Sequence, residues 1–372
     1  MVWVLLGALG AYVAKDLHLS PLQKGLVVAV PPLGGAVFRL LLGSLADRVG
    51  IKGLGLITMG LTTVPLLWGW RAGGSLGQVL GIGLLLGVAG ASFAVALPMA
   101  SRWYPPHLQG LVLGIAGAGN SGTVIAALAA PRLAEHVGWH GVFGLALIPV
   151  GAAWIAFAIL AKEPPKLATT GKAKATPLGL LRESDPRWLC CFYALSFGSF
   201  VGLASYLSIF YVDRFGLLKV TAGGFAAVCT VTGSLLRPLG GALADRYSGT
   251  KVLAFVLGGM GLLSMTLSTL PTLPITVVLL AIMLGLLGMG NGAVFQMVGV
   301  RLPTRVGAMT GLVGAAGGLG GFALPFAFGA LKSSTGGFGT GFFLLGSLSL
   351  IGSFVALNRQ RAWFTSPELV TA

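Results

Sequence analysis

Two arginines stand where arginine is costly. Arg39 and Arg237 each lie inside an apolar run, eight residues before an aspartate, Asp47 or Asp245, that marks the run's polar end. Eight residues of helix rise about 12 Å, nearly half the hydrocarbon thickness of a bilayer. A charge at that depth costs about 2.5–3.5 kcal/mol on insertion scales, so it persists where a function or a counter-charge holds it. The bland readings are snorkelling to the interface and pairing with a carboxylate. All nine acids, however, fall at helix ends or in loops, so no fixed anion is expected at the midplane. A mobile anion is then the missing partner. Guanidinium is planar and presents parallel N–H donors, which suits a flat oxyanion, and two of them could clamp one between them.

The elements that must carry these arginines are membrane helices. The chain is 55% hydrophobic and 9% charged, with a mean hydropathy of +0.92, far too apolar for a soluble domain. Apolar runs recur at 1–14, 25–44, 53–70, 76–101, 108–130 and 140–161, then at 187–211, 220–243, 251–270, 274–298, 307–330 and 338–357. The expectation is an all-α membrane protein with about twelve transmembrane helices. The first run is short, and its helix is expected to begin upstream of Met1. Its first residues lack the basic region and cleavage site of a signal peptide. Gly contributes 60 residues, placed inside the apolar runs where small residues let helices approach closely.

The formal net charge of +15 raises nucleic acid as a partner, but the placement of the charges argues against it. With both termini inside, fifteen of the 24 Lys and Arg fall in cytoplasmic segments and seven in outer loops, the bias of a protein in a cytoplasmic membrane. Cys190, Cys191 and Cys229 lack metal-ligand spacing and read as small apolar residues. No cofactor or metal is expected.

The chain repeats itself at an offset of 198 residues. Arg39, Gly43, Leu45, Ala46, Asp47 and Arg48 match Arg237, Gly241, Leu243, Ala244, Asp245 and Arg246, and Gly87 and Gly90 match Gly285 and Gly288. Two parallel six-helix repeats are expected, residues 1–161 and 187–372, joined by a basic cytoplasmic connection over 162–186. A carrier built this way places its substrate site at the midplane between the repeats. The offset also implies that the first helix is shortened by about ten residues relative to the seventh.

The run Gly43, Leu45, Asp47, Arg48, Gly50 and Lys52 resembles the loop between the second and third helices of the major facilitator superfamily. Within it the chain is similar to the nitrate/nitrite porter family, marked by glycine-rich signatures on the fifth and eleventh helices, here Gly114–Pro131 and Gly314–Pro325. Gly117, Gly119 and Gly122 also spell the dinucleotide fingerprint, but without the strand or the acidic residue that motif needs.

The resemblance implies that nitrate or nitrite is the substrate, taken between Arg39 and Arg237. It adds an amide from Asn120, a hydroxyl from Tyr193, and Phe93 and Phe197 against the faces of the planar ion. Gly317, Gly318, Gly320 and Gly321 would let the eleventh helix pass its neighbours during rocking. Asp47 and Arg48, with Asp245 and Arg246 at the matching place, are expected at a cytoplasmic gate, a carboxylate there stabilising a helix N-terminus. Asn291 stands at the position equivalent to Phe93 and reads equally as an interhelical amide or a pathway residue.

No Asp, Glu or His falls in mid-membrane, where a proton relay would sit. The expected mechanism is therefore nitrate/nitrite exchange, because two bare arginines would repel across a closing empty site. Proton-coupled nitrate symport and carriage of another small anion are the alternatives. A membrane enzyme finds no carboxylate pair or nucleophile to support it, and a signalling protein no attached domain. A bacterial cytoplasmic-membrane monomer is expected.

Overall fold

The fold was obtained as a computed structural model that describes residues 2–105, 108–165, 177–302 and 305–364, the side chains at 43–48, 109–110, 114, 118, 177–178, 307 and 361–364 excepted. The described residues form helices α1 (Leu5–Asp16), α2 (Pro21–Val49), α3 (Ile51–Arg71), α4 (Leu76–Ala91), α5 (Phe93–Ser101), α6 (Gln109–Gly117), α7 (Gly122–Leu145) and α8 (Leu147–Leu160). After the connection, most of which lies outside the described residues, come α9 (Ser184–Phe215), α10 (Lys219–Tyr247), α11 (Gly249–Ser268), α12 (Leu273–Arg301), α13 (Val306–Thr335) and α14 (Gly339–Phe364). Lipid offers no partner to backbone N–H and C=O groups, so apolar segments of this length close their hydrogen bonds within helices.

Ten stretches among the described residues are long and apolar enough to cross a membrane. One of them, Leu111–Leu160, runs for 50 residues and contains a sharp turn at Gly138, whose φ of 70° and ψ of 166° lie where an L side chain is strained. That turn separates the fifth and sixth spans. With α1, whose 12 residues fall short of a full crossing, the helices account for the twelve spans read from the sequence. Two breaks stand inside spans that read as continuous: the α-helical pattern of the fourth is interrupted at Ser92, between α4 and α5, and the fifth carries a 3-10 turn over Ala118–Ser121, between α6 and α7.

The repeat is visible in the packing. A Cβ on Gly7 of α1 would lie 2.8 Å from the Ser205 backbone of α9, and these residues are 198 apart, as expected where a pseudo-two-fold axis passes between copies. Gly25 of α2 meets Pro325 O and Gly329 of α13, and 198 residues on, Gly223 of α10 meets Ala127 O and Pro131 of α7. The two crossings are copies of one another, and both depend on a missing side chain.

The face of the molecule opposite the connection is held by charge. Asp213, at the end of α9, accepts from Lys24 Nζ of α2 at 2.9 and 3.1 Å and from Lys332 Nζ of α13 at 2.5 Å. The three side chains are 12–21% exposed, so solvent screens this cluster only in part. It ties α2 to the C-terminal spans. Beside the other crossing, Tyr12 OH donates to Pro131 O at 2.8 Å, and Lys219 Nζ sits 4.1 Å above the Tyr12 ring. On the connection side, by contrast, the described ion pairs, Arg301–Asp185 and Arg305–Glu183, stay within the C-terminal spans. The Glu163 carboxylate accepts from the N–H groups of Ile51 and Lys52, capping α3 within the N-terminal spans.

Asp213→Asn should therefore loosen the first face selectively. It leaves two ammonium groups facing each other, and amide hydrogen exchange at the near ends of α2 and α13 is expected to rise several-fold while α11 is unchanged. Equal protection in the variant would mean that the cluster does not hold that face shut.

Candidate functional site

α2 and α10 deliver Arg39 and Arg237 to the centre of the molecule, where they are 2% and 1% exposed. Neither guanidinium reaches lipid or water, and among the described residues none of the ion pairs includes either of them. Phe93 of α5 and Phe197 of α9 stand between them. The Phe93 ring centre lies 5.7 Å from Cζ of Arg39 and 5.8 Å from that of Arg237, and Phe197 lies 5.6 and 5.8 Å from the same atoms. Tyr193 stacks on Phe197, with ring centroids 4.8 Å apart and planes within 6°. Its hydroxyl accepts from Arg237 Nη2 at 3.4 Å.

The two arginines are not equivalent. Arg39 is satisfied by backbone: Nε and Nη2 donate to Gly90 O of α4 at 3.2 and 2.8 Å, and Nη1 donates to Gly314 O of α13. Arg237 has the Tyr193 hydroxyl, but its Nε and Nη1 are buried without a partner, as is Nδ2 of Asn120 on the 3-10 turn. Leaving a buried donor unmade costs about 1–3 kcal/mol, and more for a charged group. Arg237 Nε and Nη1 and Asn120 Nδ2 are thus three unmet buried N–H donors, and among the described residues no carboxylate pairs with Arg237, a donor set with the chemistry for an acceptor-only, negatively charged guest.

The signature glycines divide by what they touch. A side chain at Gly117 would run into the Arg237 guanidinium, and one at Gly314 would come within 3.2 Å of Arg39. Each signature thus lies against the arginine of the other repeat. Gly317 makes room for the Tyr193 and Phe197 rings, Gly318 and Gly321 for Pro32 of α2, and Gly320 for the α9 backbone at Ala194. Gly119 faces open space, and Gly122 opens α7. Of the four residues expected at a gate, only Asp245 and Arg246 have described side chains. Asp245 and Gln296 of α12 line one cleft at the end of α10, and Arg246 lies over Tyr247. The side chains of Asp47 and Arg48 lie outside the described residues.

Two aromatics escaped the sequence reading. Trp3 is 6.0 Å from Arg39 Cζ and stacks at 6.3 Å on Phe197, while Phe295 of α12 is 5.6 Å from Arg237 Cζ and meets Tyr193 edge-on at 5.1 Å. The signal for Phe295 was its place one helical turn from Asn291; Trp3 offered none. Together with Phe93, Phe197 and Tyr193 they exclude water from the pair and lend it cation–π contacts.

Comparison with known proteins fits this architecture. The family model described as Major Facilitator Superfamily matches residues 1–325. A nitrite extrusion protein of Bacillus subtilis is 34% identical over 359 residues, covering 95% of this chain and 89% of the relative. A probable nitrate/nitrite transporter, NarK2, of Mycobacterium tuberculosis is 36% identical, covering 88% and 84%, and a probable nitrate/nitrite antiporter, NarK1, of Thermus thermophilus is 32% identical, covering 90% and 82%. The chain belongs to the nitrate/nitrite porter family of the major facilitator superfamily. The porter is thus a multi-pass membrane carrier and not an enzyme. Its fold matches the crystal structure of the human organic anion transporter MFSD10 with a TM-score of 0.66 at 17% identity, covering 95% of this chain and 97% of that one. At that identity the match speaks for the fold alone.

Proposed function

We propose that the porter exchanges nitrate and nitrite across a bacterial cytoplasmic membrane by alternating access, the repeats 1–161 and 187–372 rocking about the central arginine pair. The observation that carries this reading is the set of unmet donors, Arg237 Nε and Nη1 and Asn120 Nδ2, enclosed with aromatic rings and without a carboxylate. A small planar oxyanion satisfies donors of this kind and slides between rings that would exclude a strongly hydrated ion. The names of the relatives point to the same two anions.

Both termini are assigned to the cytoplasm, from the distribution of Lys and Arg, and a single chain is the transporting unit. The Asp213 cluster then closes the outer mouth. On the inner side apolar packing joins the repeats, since Leu97, Leu113, Met309 and Val313, of which Leu97 and Leu113 are 1% and Met309 and Val313 0% exposed, or in Leu312's neighbourhood as buried, belong to one core that spans both. This is an occluded arrangement. Opening outward breaks the Asp213 ion pairs, and opening inward must separate this apolar core.

Vesicles reconstituted with the porter, loaded with nitrite and held at equal pH on both sides, are expected to take up external nitrate, while unloaded vesicles take up little. Uptake that requires an imposed proton gradient and ignores internal nitrite would count against exchange. Absence of flux for both anions under every gradient would remove the substrate assignment itself.

A further inference from the structure

α12 carries a buried amide that no part of the site above uses. Asn291 is 1% exposed and its Oδ1 has no hydrogen-bond partner; on α9, against the neighbouring Gly290, Ser196 is 0% exposed and its hydroxyl has none either. The two helices run antiparallel with Phe295 against Tyr193 and Gly290 against Ser196, where a Cβ on the glycine would lie 3.4 Å from the serine Cβ. Asn291 therefore shares a helix face with Phe295, one turn along. Its neighbour Gly292 packs on the backbone carbonyl of Arg237, so Asn291 stands beside the turn of α10 that bears the guanidinium.

The internal repeat locates it further. Position 291 is the copy of position 93, as Arg237 is the copy of Arg39. Phe93 lies 5.7 and 5.8 Å from the two guanidinium carbons, close to equidistant. A pseudo-two-fold that exchanges the arginines carries Phe93 to the opposite side of the pair, and there the chain has an amide instead of a ring. An orphaned polar group beside the helical turn that carries Arg237 is unfavourable in the empty protein, since a buried acceptor left unmade carries its full desolvation cost. Rotating the amide by half a turn exchanges Oδ1 and Nδ2, which presents an N–H in the same place.

We propose that Asn291 is a specificity-determining residue of the anion site, donating to the third oxygen of a trigonal anion. A guanidinium fork engages two oxygens of such an ion, and the third projects away from Arg237. Nitrate has that oxygen and nitrite does not. Asn291 thus favours nitrate over nitrite without being needed to hold either. This assignment rests on the anion-exchange reading given above.

The test is calorimetric titration of the purified full chain with nitrate and with nitrite, in wild type and in Asn291→Leu, a near-isosteric change that removes the amide. Nitrate affinity is expected to fall about tenfold, the worth of one hydrogen bond to a charged ligand, while nitrite affinity stays within about twofold. Asn291→Ala carries the same expectation without added bulk, should the leucine variant fail to fold. Equal weakening of both anions, or no weakening of nitrate, overturns the proposal while leaving the carrier assignment intact. A wild-type protein that binds neither anion overturns the carrier reading, and this assignment falls with it.

Discussion

Arg237→Lys is expected to weaken nitrate binding by about two orders of magnitude, the loss of one or two charge-assisted hydrogen bonds at about 1.5–3 kcal/mol each. Lysine preserves the charge but loses the planar fork and the distinct directions of Nε and Nη1, the two donors that the protein itself leaves unmet. The matching change at Arg39 should behave differently. Its donors already end on Gly90 O and Gly314 O, one acceptor from each repeat, so Arg39→Lys removes a bond that crosses the interface. The expected signature is a larger fall in turnover than in equilibrium affinity, read by comparing vesicle uptake with calorimetric Kd. If the two lysine variants lose affinity equally, the arginines are equivalent and the inequality seen in their hydrogen bonds has no functional meaning.

Gly117→Ala should cut nitrate uptake at least about tenfold, whereas Gly119→Ala, two residues along the same signature, should change it by less than about twofold. The difference comes from what each Cβ would meet. At Gly117 the new methyl runs into the Arg237 guanidinium, and at Gly119 it meets nothing within 4 Å. Overpacking of this sort costs about 1–3 kcal/mol, and here the group that must yield is the one whose direction sets binding. Alanine also favours helix over glycine, so the Gly119 variant should be no less stable than wild type in a thermal melt. Similar losses at both positions would show that the signature glycines act through backbone flexibility and not through contact.

Much of this site is legible before any fold is seen, and the reason is the solvent. In a chain destined for lipid, a charge far from a helix end is conspicuous, and the spacing of Arg39 from Asp47 fixes its depth without reference to tertiary structure. The repeat then supplies Arg237 as its partner. Phe93 and Phe197 became candidates only through resemblance, since an aromatic residue on an apolar helix otherwise reads as packing; Trp3 and Phe295 were overlooked for the same reason. The acceptors of Arg39 were illegible in principle, because a backbone carbonyl has no letter in the sequence and Gly314 O is available only where α13 crosses α2. Asp213 was correctly placed at a helix end. Its two lysines, 189 and 119 residues away in the chain, could be found only once the helices were assembled. Of the residues expected at a gate, Arg246 lies over the neighbouring Tyr247 ring, 5.4 Å from its centre, while the side chains of Asp47 and Arg48 lie outside the described residues.

The carbonyl of Gly314 gives Arg39 something to grip when no anion is present. Both guanidinium groups stay charged, but only Arg237 keeps unmet donors in an unloaded carrier, so on the exchange reading the barrier to turning over empty is expected to reside in Arg237. Tightness of coupling should follow from that single residue: soften the positive charge there and the protein begins to slip, returning without cargo and letting one anion run downhill unaccompanied.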